Sequence, residues 1–106
     1  MRITQDDALS LLTKYAEEKT PVLAAFVTPS LSVARVTGTV RVSIVQGFPQ
    51  LFVGKENRES DQIVFYLSDC IFDYGDFREE PTDKFEAFLV VESEKGDTLS
   101  LFEPKG

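Results

Sequence analysis

The 106-residue chain has no histidine and one cysteine, Cys70. Without histidine, no Ser-His-Asp or Cys-His catalytic arrangement can form. One cysteine and no histidine cannot supply the four ligands of a structural zinc site, and an internal disulfide is impossible. Glycine is sparse and scattered, with 6 residues in all and no glycine-rich strand-to-helix turn, so neither a Walker A loop nor a dinucleotide fingerprint is present. Long hydrophobic runs are missing too. The longest, residues 21–27 and 87–91, fall far short of the ~20 residues that span a bilayer as a helix. The opening MRITQDDALSLL meets two aspartates before any apolar run, unlike a secretory signal peptide, which makes the cytoplasm the expected compartment. A chain of this length is expected to form a single domain.

Acid is absent from one long stretch. Residues 1–20 carry 4 acids and 3 bases, residues 21–53 carry no acid and 2 bases (Arg35 and Arg41), and residues 54–106 carry 14 acids and 6 bases. The net charge of −7 is therefore concentrated in the second half, beside a mildly basic and largely apolar middle. An overall acidic chain is a poor ligand for phosphate backbones, whose affinity comes from Lys and Arg displacing counterions.

What is present reads as one helix followed by strands. Thr4, with Asp7 three residues on, resembles a capping box. Ala8, Leu11, Leu12, Tyr15 and Ala16 recur at helical spacing, predicting a helix over about 5–19 that ends before Pro21. From Val22 the period becomes strand-like. Residues 34–44 alternate strictly: Ala34, Val36, Gly38, Val40, Val42 and Ile44 on one face, with Arg35, Thr37, Thr39, Arg41 and Ser43 on the other. The apolar set does not change parity at Gly38, so Gly38 is not a hairpin turn. A straight strand over 33–45 would extend about 43 Å, too long for a domain of this size, and Gly38 is the natural place for a bend. Short strands are predicted at 50–53, 62–67 and about 70–74. A hairpin is predicted from 85–92 and 98–103, turning through Gly96. Residues 62–67, QIVFYL, are apolar on both faces, which predicts a central strand or one covered by the helix.

These elements predict a mainly β fold: a small antiparallel barrel with one N-terminal helix. In outline it resembles Sm-like and SH3-like barrels. The Asp and Asn pattern of the Sm base-binding loops finds no match, so none of that family's RNA-binding residues carries over. The alternative is a curved open antiparallel sheet with the helix on one face.

Two groups of residues are candidates for function. The wet face of the long strand offers Arg35, Thr37, Thr39 and Arg41 to an acidic partner or another copy of the chain. The second group is the acidic segment 69–83, where Asp69, Asp73, Asp76, Glu79, Glu80 and Asp83 interleave with Phe72, Tyr74 and Phe77. Its aromatics could anchor a partner, and Asp69, Asp73 and Asp76 could hold a divalent cation weakly, although their spacing is not that of an EF-hand. Carboxylate pairs can serve as acid and base without histidine, and no pair is singled out. The preferred expectation is a non-catalytic, cofactor-free cytoplasmic module that acts through protein contacts or self-assembly. A small-ligand or cation-binding domain using the acidic segment is the second reading, and an Sm-like nucleic-acid binder the third.

Overall fold

The helix begins where the sequence places its cap. Thr4 is extended (φ −78°, ψ 164°), and its side-chain oxygen accepts the Asp7 N–H at 3.2 Å, satisfying one of the open donors of the first turn. Asp6 and Asp7 put negative charge at the positive end of the helix dipole. At the other end Lys19 is left-handed (φ 53°). Its N–H bonds the Ala16 carbonyl, and the Thr20 N–H bonds that of Tyr15, a Schellman closure reached two residues before Pro21.

The computed structural model describes residues 1–55, 62–74 and 85–104. Along them run β1 (Arg2–Ile3), α1 (Gln5–Glu18), β2 (Val22–Val27), β3 (Val33–Val45), β4 (Phe48–Gly54), β5 (Ile63–Tyr66), β6 (Ile71–Tyr74), β7 (Phe85–Glu92) and β8 (Thr98–Pro104). Among the described residues the eight strands form one antiparallel sheet in the order β1-β6-β7-β8-β2-β3-β4-β5. The sheet curls into a half-barrel but stays open, so the expected closed barrel is corrected to the open-sheet alternative. Closure would require the two end strands to pair with each other. They are two and four residues long, and among the described residues each has a neighbour on one side only.

The concave side is filled by α1. Ala8 and Leu12 are fully buried in one cluster with the inward side chains of the sheet, among them Val40, Leu51, Phe72, Leu89 and Leu101. Truncating Leu12 to alanine would cost about 2–5 kcal/mol through lost transfer energy and the remaining cavity. Tyr15 ties the helix to the far side of the trough. Its ring stacks on Phe88 at 4.2 Å, and its hydroxyl donates a hydrogen bond to the Glu103 carboxylate on β8. Burial, then the hydrogen bond to the Glu103 carboxylate and that group's charge, hold the Tyr15 phenol well above its ordinary value of 10.0.

Strand β3 is continuous through Gly38, as the unchanged parity predicts. Its first half, Val33–Gly38, pairs with β2, and its second half, Thr39–Val45, pairs with β4. A straight strand of that length would exceed the longest axis of the molecule, 39 Å. The bend brings Gly38 against Gly54 at the end of β4, where a Cβ on Gly38 would overlap the Gly54 carbonyl group. Val36, Val40 and Val42 point inward as expected. Ala34 and Ile44, near the two ends, outrun the core and are exposed.

The expectation that residues 62–67 form a central or helix-covered strand is overturned: β5 is the last strand of the sheet. Ile63 and Phe65 are buried, while Val64 and Tyr66 are exposed. Strand β1 had no signal in the sequence, since two residues are too few to show a period.

Gly38→Ala is expected to lower stability by at least about 2 kcal/mol. The reading is a shift in urea midpoint, with Gly47→Ala, whose added Cβ would meet nothing within 4 Å, as the comparison for general glycine effects. A neutral Gly38→Ala would show that the two backbones do not touch. The second expectation concerns Tyr15. Its ionisation is disfavoured in the fold, so its contribution to stability is complete below pH ~10 and is lost as pH rises above that value. Alkaline titration of tyrosine absorbance should show a late-ionising component that Tyr15→Phe removes.

Candidate interaction surface

The last three strands, β3, β4 and β5, form a wing that folds away from the rest of the sheet at Gly38. Alternation places Val40, Val42, Leu51, Val53, Ile63 and Phe65 on its inner face. The outer face then carries Arg41, Ser43 and Val45 from β3, Phe48, Gln50 and Phe52 from β4, and Val64 and Tyr66 from β5. Four of these are large apolar groups left in solvent: Val45 is 47 % exposed, Phe48 59 %, Val64 45 % and Tyr66 63 %. Arg41 lies over the Phe52 ring, 5.4 Å from its centroid, and its Nη2 donates to the Gln62 side-chain oxygen at 3.2 Å.

Pro49 sets where β5 stops. Leu67 N–H donates to the Pro49 carbonyl at 3.1 Å, but proline has no N–H to return, so the ladder ends there. The same bond fixes which backbone groups of β5 face outward. In an antiparallel ladder alternate residues turn toward the same neighbour, so Leu67, Phe65 and Ile63 face β4. Val64 and Tyr66 therefore direct their N–H and C=O groups away from the sheet. One of the four is occupied: the Cys70 thiol donates to the Tyr66 carbonyl at 3.4 Å, and to that of Ser68 at 3.5 Å. Burial, then the nearby charges of Asp69 and Glu94, push the Cys70 thiol up to about 11, which keeps its proton in place.

A cleft of about 280 Å³ opens beside this edge. Phe26, Phe65, Val64 and Tyr66 line one part, and the turn after β7 closes the other with Ser93, Glu94, Lys95 and Asp97. Phe26 and Phe65 meet edge to face at 5.8 Å, joining β2 to β5 across the interior. Asp69, left-handed at φ 57°, adds a third carboxylate to the lining.

The candidates from the sequence fall in several places. Arg35, Thr37, Thr39 and Arg41 share the outer face of β3, but the bend divides them. Arg35 and Thr37 stand on the half paired with β2, Thr39 and Arg41 on the half paired with β4. Arg35 and Thr37 also line a groove of about 450 Å³ with Lys55 and Gln62, where β3 leaves the company of β4. Phe72 is 2 % exposed and belongs to the core, so it presents no anchor to a partner. Tyr74 is exposed and exchanges backbone hydrogen bonds with Met1. Asp73 on β6 sits opposite Arg2 on β1 and away from Asp69 in the turn. Asp76, Phe77, Glu79, Glu80 and Asp83 lie outside the described residues. Among the described residues no three metal-ligating side chains gather, and no helix is long and apolar enough to cross a membrane. Val45, Phe48, Val64 and Tyr66 were not singled out by sequence. For Val64 and Tyr66 the signal was present in QIVFYL, six uncharged residues that read as a strand, but only topology shows that this strand ends the sheet. Val45 and Phe48 sit at a strand end and beside a turn, where sequence gives no sign of exposure.

With its thiol held protonated, Cys70 should react with iodoacetamide at pH 8 about 100-fold more slowly than an unperturbed cysteine, approaching the ordinary rate only when the chain is unfolded in urea. Rapid labelling of the folded chain would contradict this environment. No protein-family model matches the chain, and no curated protein or solved structure shows significant similarity to it.

Proposed function

We propose that the protein is a non-catalytic interaction module that works by contact with protein chains, copies of itself included. The observation that carries this reading is the outer face of the wing, where Val45, Phe48, Val64 and Tyr66 are exposed on neighbouring strands. Proteins that act alone seldom leave large apolar groups gathered on one face, because covering them is worth roughly 25 cal/mol per Å².

Charge sorting supports a second copy as partner. Strands β2, β3 and nearly all of β4 derive from the acid-free stretch and carry Arg35 and Arg41, with Lys55 following, and β5 itself is uncharged. The opposite half of the sheet and its turns carry Asp73, Glu86, Glu92, Glu94, Asp97 and Glu103. The basic, apolar face of one copy and the acidic half of another are complementary, and like faces repel, which favours a head-to-tail contact.

Light scattering at micromolar concentration and low salt should give a dimer or a larger species. Phe48→Lys with Tyr66→Lys should return it to monomer, and Arg35→Glu or added salt should weaken it. A monomeric parent protein, unchanged by these substitutions, would remove self-assembly.

A further inference from the structure

We infer that the cleft beside β5 receives an extended segment of a partner chain, basic at alternate residues and apolar between them, which adds to the sheet as a ninth strand. This inference rests on the wing being an interaction surface, but it uses the edge of the wing and not its outer face.

Three independent observations converge on the cleft. The first is backbone chemistry. Val64 N–H and C=O and Tyr66 N–H face outward and have no partner among the described residues, a row of directional groups that a strand satisfies. The second is the absence of protection. Natural edge strands carry a charge, a proline, a bulge or very short length; β1 at the other end has two residues, one of them Arg2. Strand β5 reads Ile-Val-Phe-Tyr, without charge, glycine or proline, in regular register with β4. Although only four residues long, such an uncharged and regular edge is a template for pairing with another chain. The third is the shape and charge of the space. Phe26 and Phe65 give it an apolar wall, while Asp69, Glu94 and Asp97 outnumber Lys95 along its lining.

The period of a strand translates these walls into a sequence preference. Side chains of an added strand alternate between two faces. Apolar residues on the face shared with Phe65 meet Phe26 and Phe65. Basic residues on the face shared with Val64 and Tyr66 lay their methylene stems along those side chains and carry their charges to the carboxylates that line the same cleft. Acidic residues there would add like charge to a cleft already negative. The Cys70 thiol marks the end of the available edge, since it already occupies the Tyr66 carbonyl. A partner therefore needs only about four residues in register, and its affinity depends on the charges at its alternate positions.

The test uses a fluorescent eight-residue peptide of alternating valine and lysine, with a valine-glutamate counterpart, read by anisotropy at low salt. The lysine peptide should bind at least about ten-fold more tightly than the glutamate peptide. The preference should invert in a Glu94→Lys, Asp97→Lys variant, whose changes lie at the turn after β7. N-methylation of one alternate set of peptide residues should abolish binding, and N-methylation of the other set should leave it intact, because only one set faces β5. The Phe48→Lys variant should keep peptide binding even where it loses self-assembly, so the two readings fail separately. Equal affinity for the two peptides, indifference to both N-methylation patterns, or no binding would each overturn the inference.

Discussion

The passage of Gly38 past Gly54 is the constraint on which the rest of the molecule turns. One strand serves two partners because it changes neighbours there, pairing with β2 before the bend and with β4 after it. The change needs two backbones closer together than any side chain allows, and both positions are glycine. Without the bend, β4 and β5 would continue the sheet outward in the direction of β2. Phe65 could not then reach Phe26, and the inner face of the wing would have nothing to pack on.

The two ends of the sheet are finished in different ways. At the β1 end, Arg2 stands opposite Asp73, the Met1 backbone ties to Tyr74 in both directions, and the chain turns at once into the helix that fills the trough. At the β5 end, Pro49 terminates the ladder and a protonated thiol covers one carbonyl, while the other outward polar groups of an uncharged strand have no partner among the described residues. The difference is chemical as well as geometric. The finished end belongs to the acidic half of the molecule, the unfinished end to the half whose strands come largely from the acid-free stretch.

Much of this was legible in sequence where the signal is local. Thr4 and Asp7 mark the helix start, and the even-numbered apolar set from Ala34 to Ile44 marks an unbroken strand whose bend falls at Gly38. Period and capping depend on neighbours along the chain, so the chain alone carries them. The rank of a strand within a sheet does not. QIVFYL has the composition of a strand covered on both faces, and nothing in those six residues says that it pairs on one side only among the described strands. The same limit applies to the candidate site. Phe72 and Tyr74 read alike in sequence and share the helix-side face of β6, but Phe72 lies within the core while Tyr74, at the end of the strand beside Ile3 and Leu11, is left partly in solvent. Barrel closure was equally out of reach, because it depends on the distance between two ends remote in sequence.

The position of β2 bears on the order of folding. It lies between β3, its successor in sequence, and β8, the last strand, with Leu23 opposite Phe102. The hairpin of β2 and β3 can form early, because little chain entropy is lost in closing a short loop. Its other flank must wait for a segment roughly 75 residues away. Until then VLAAFV stands as an open edge of its own, as uncharged as β5. The native sheet retires this first edge by sealing it with β8, whereas no strand among the described residues pairs with the outer side of β5.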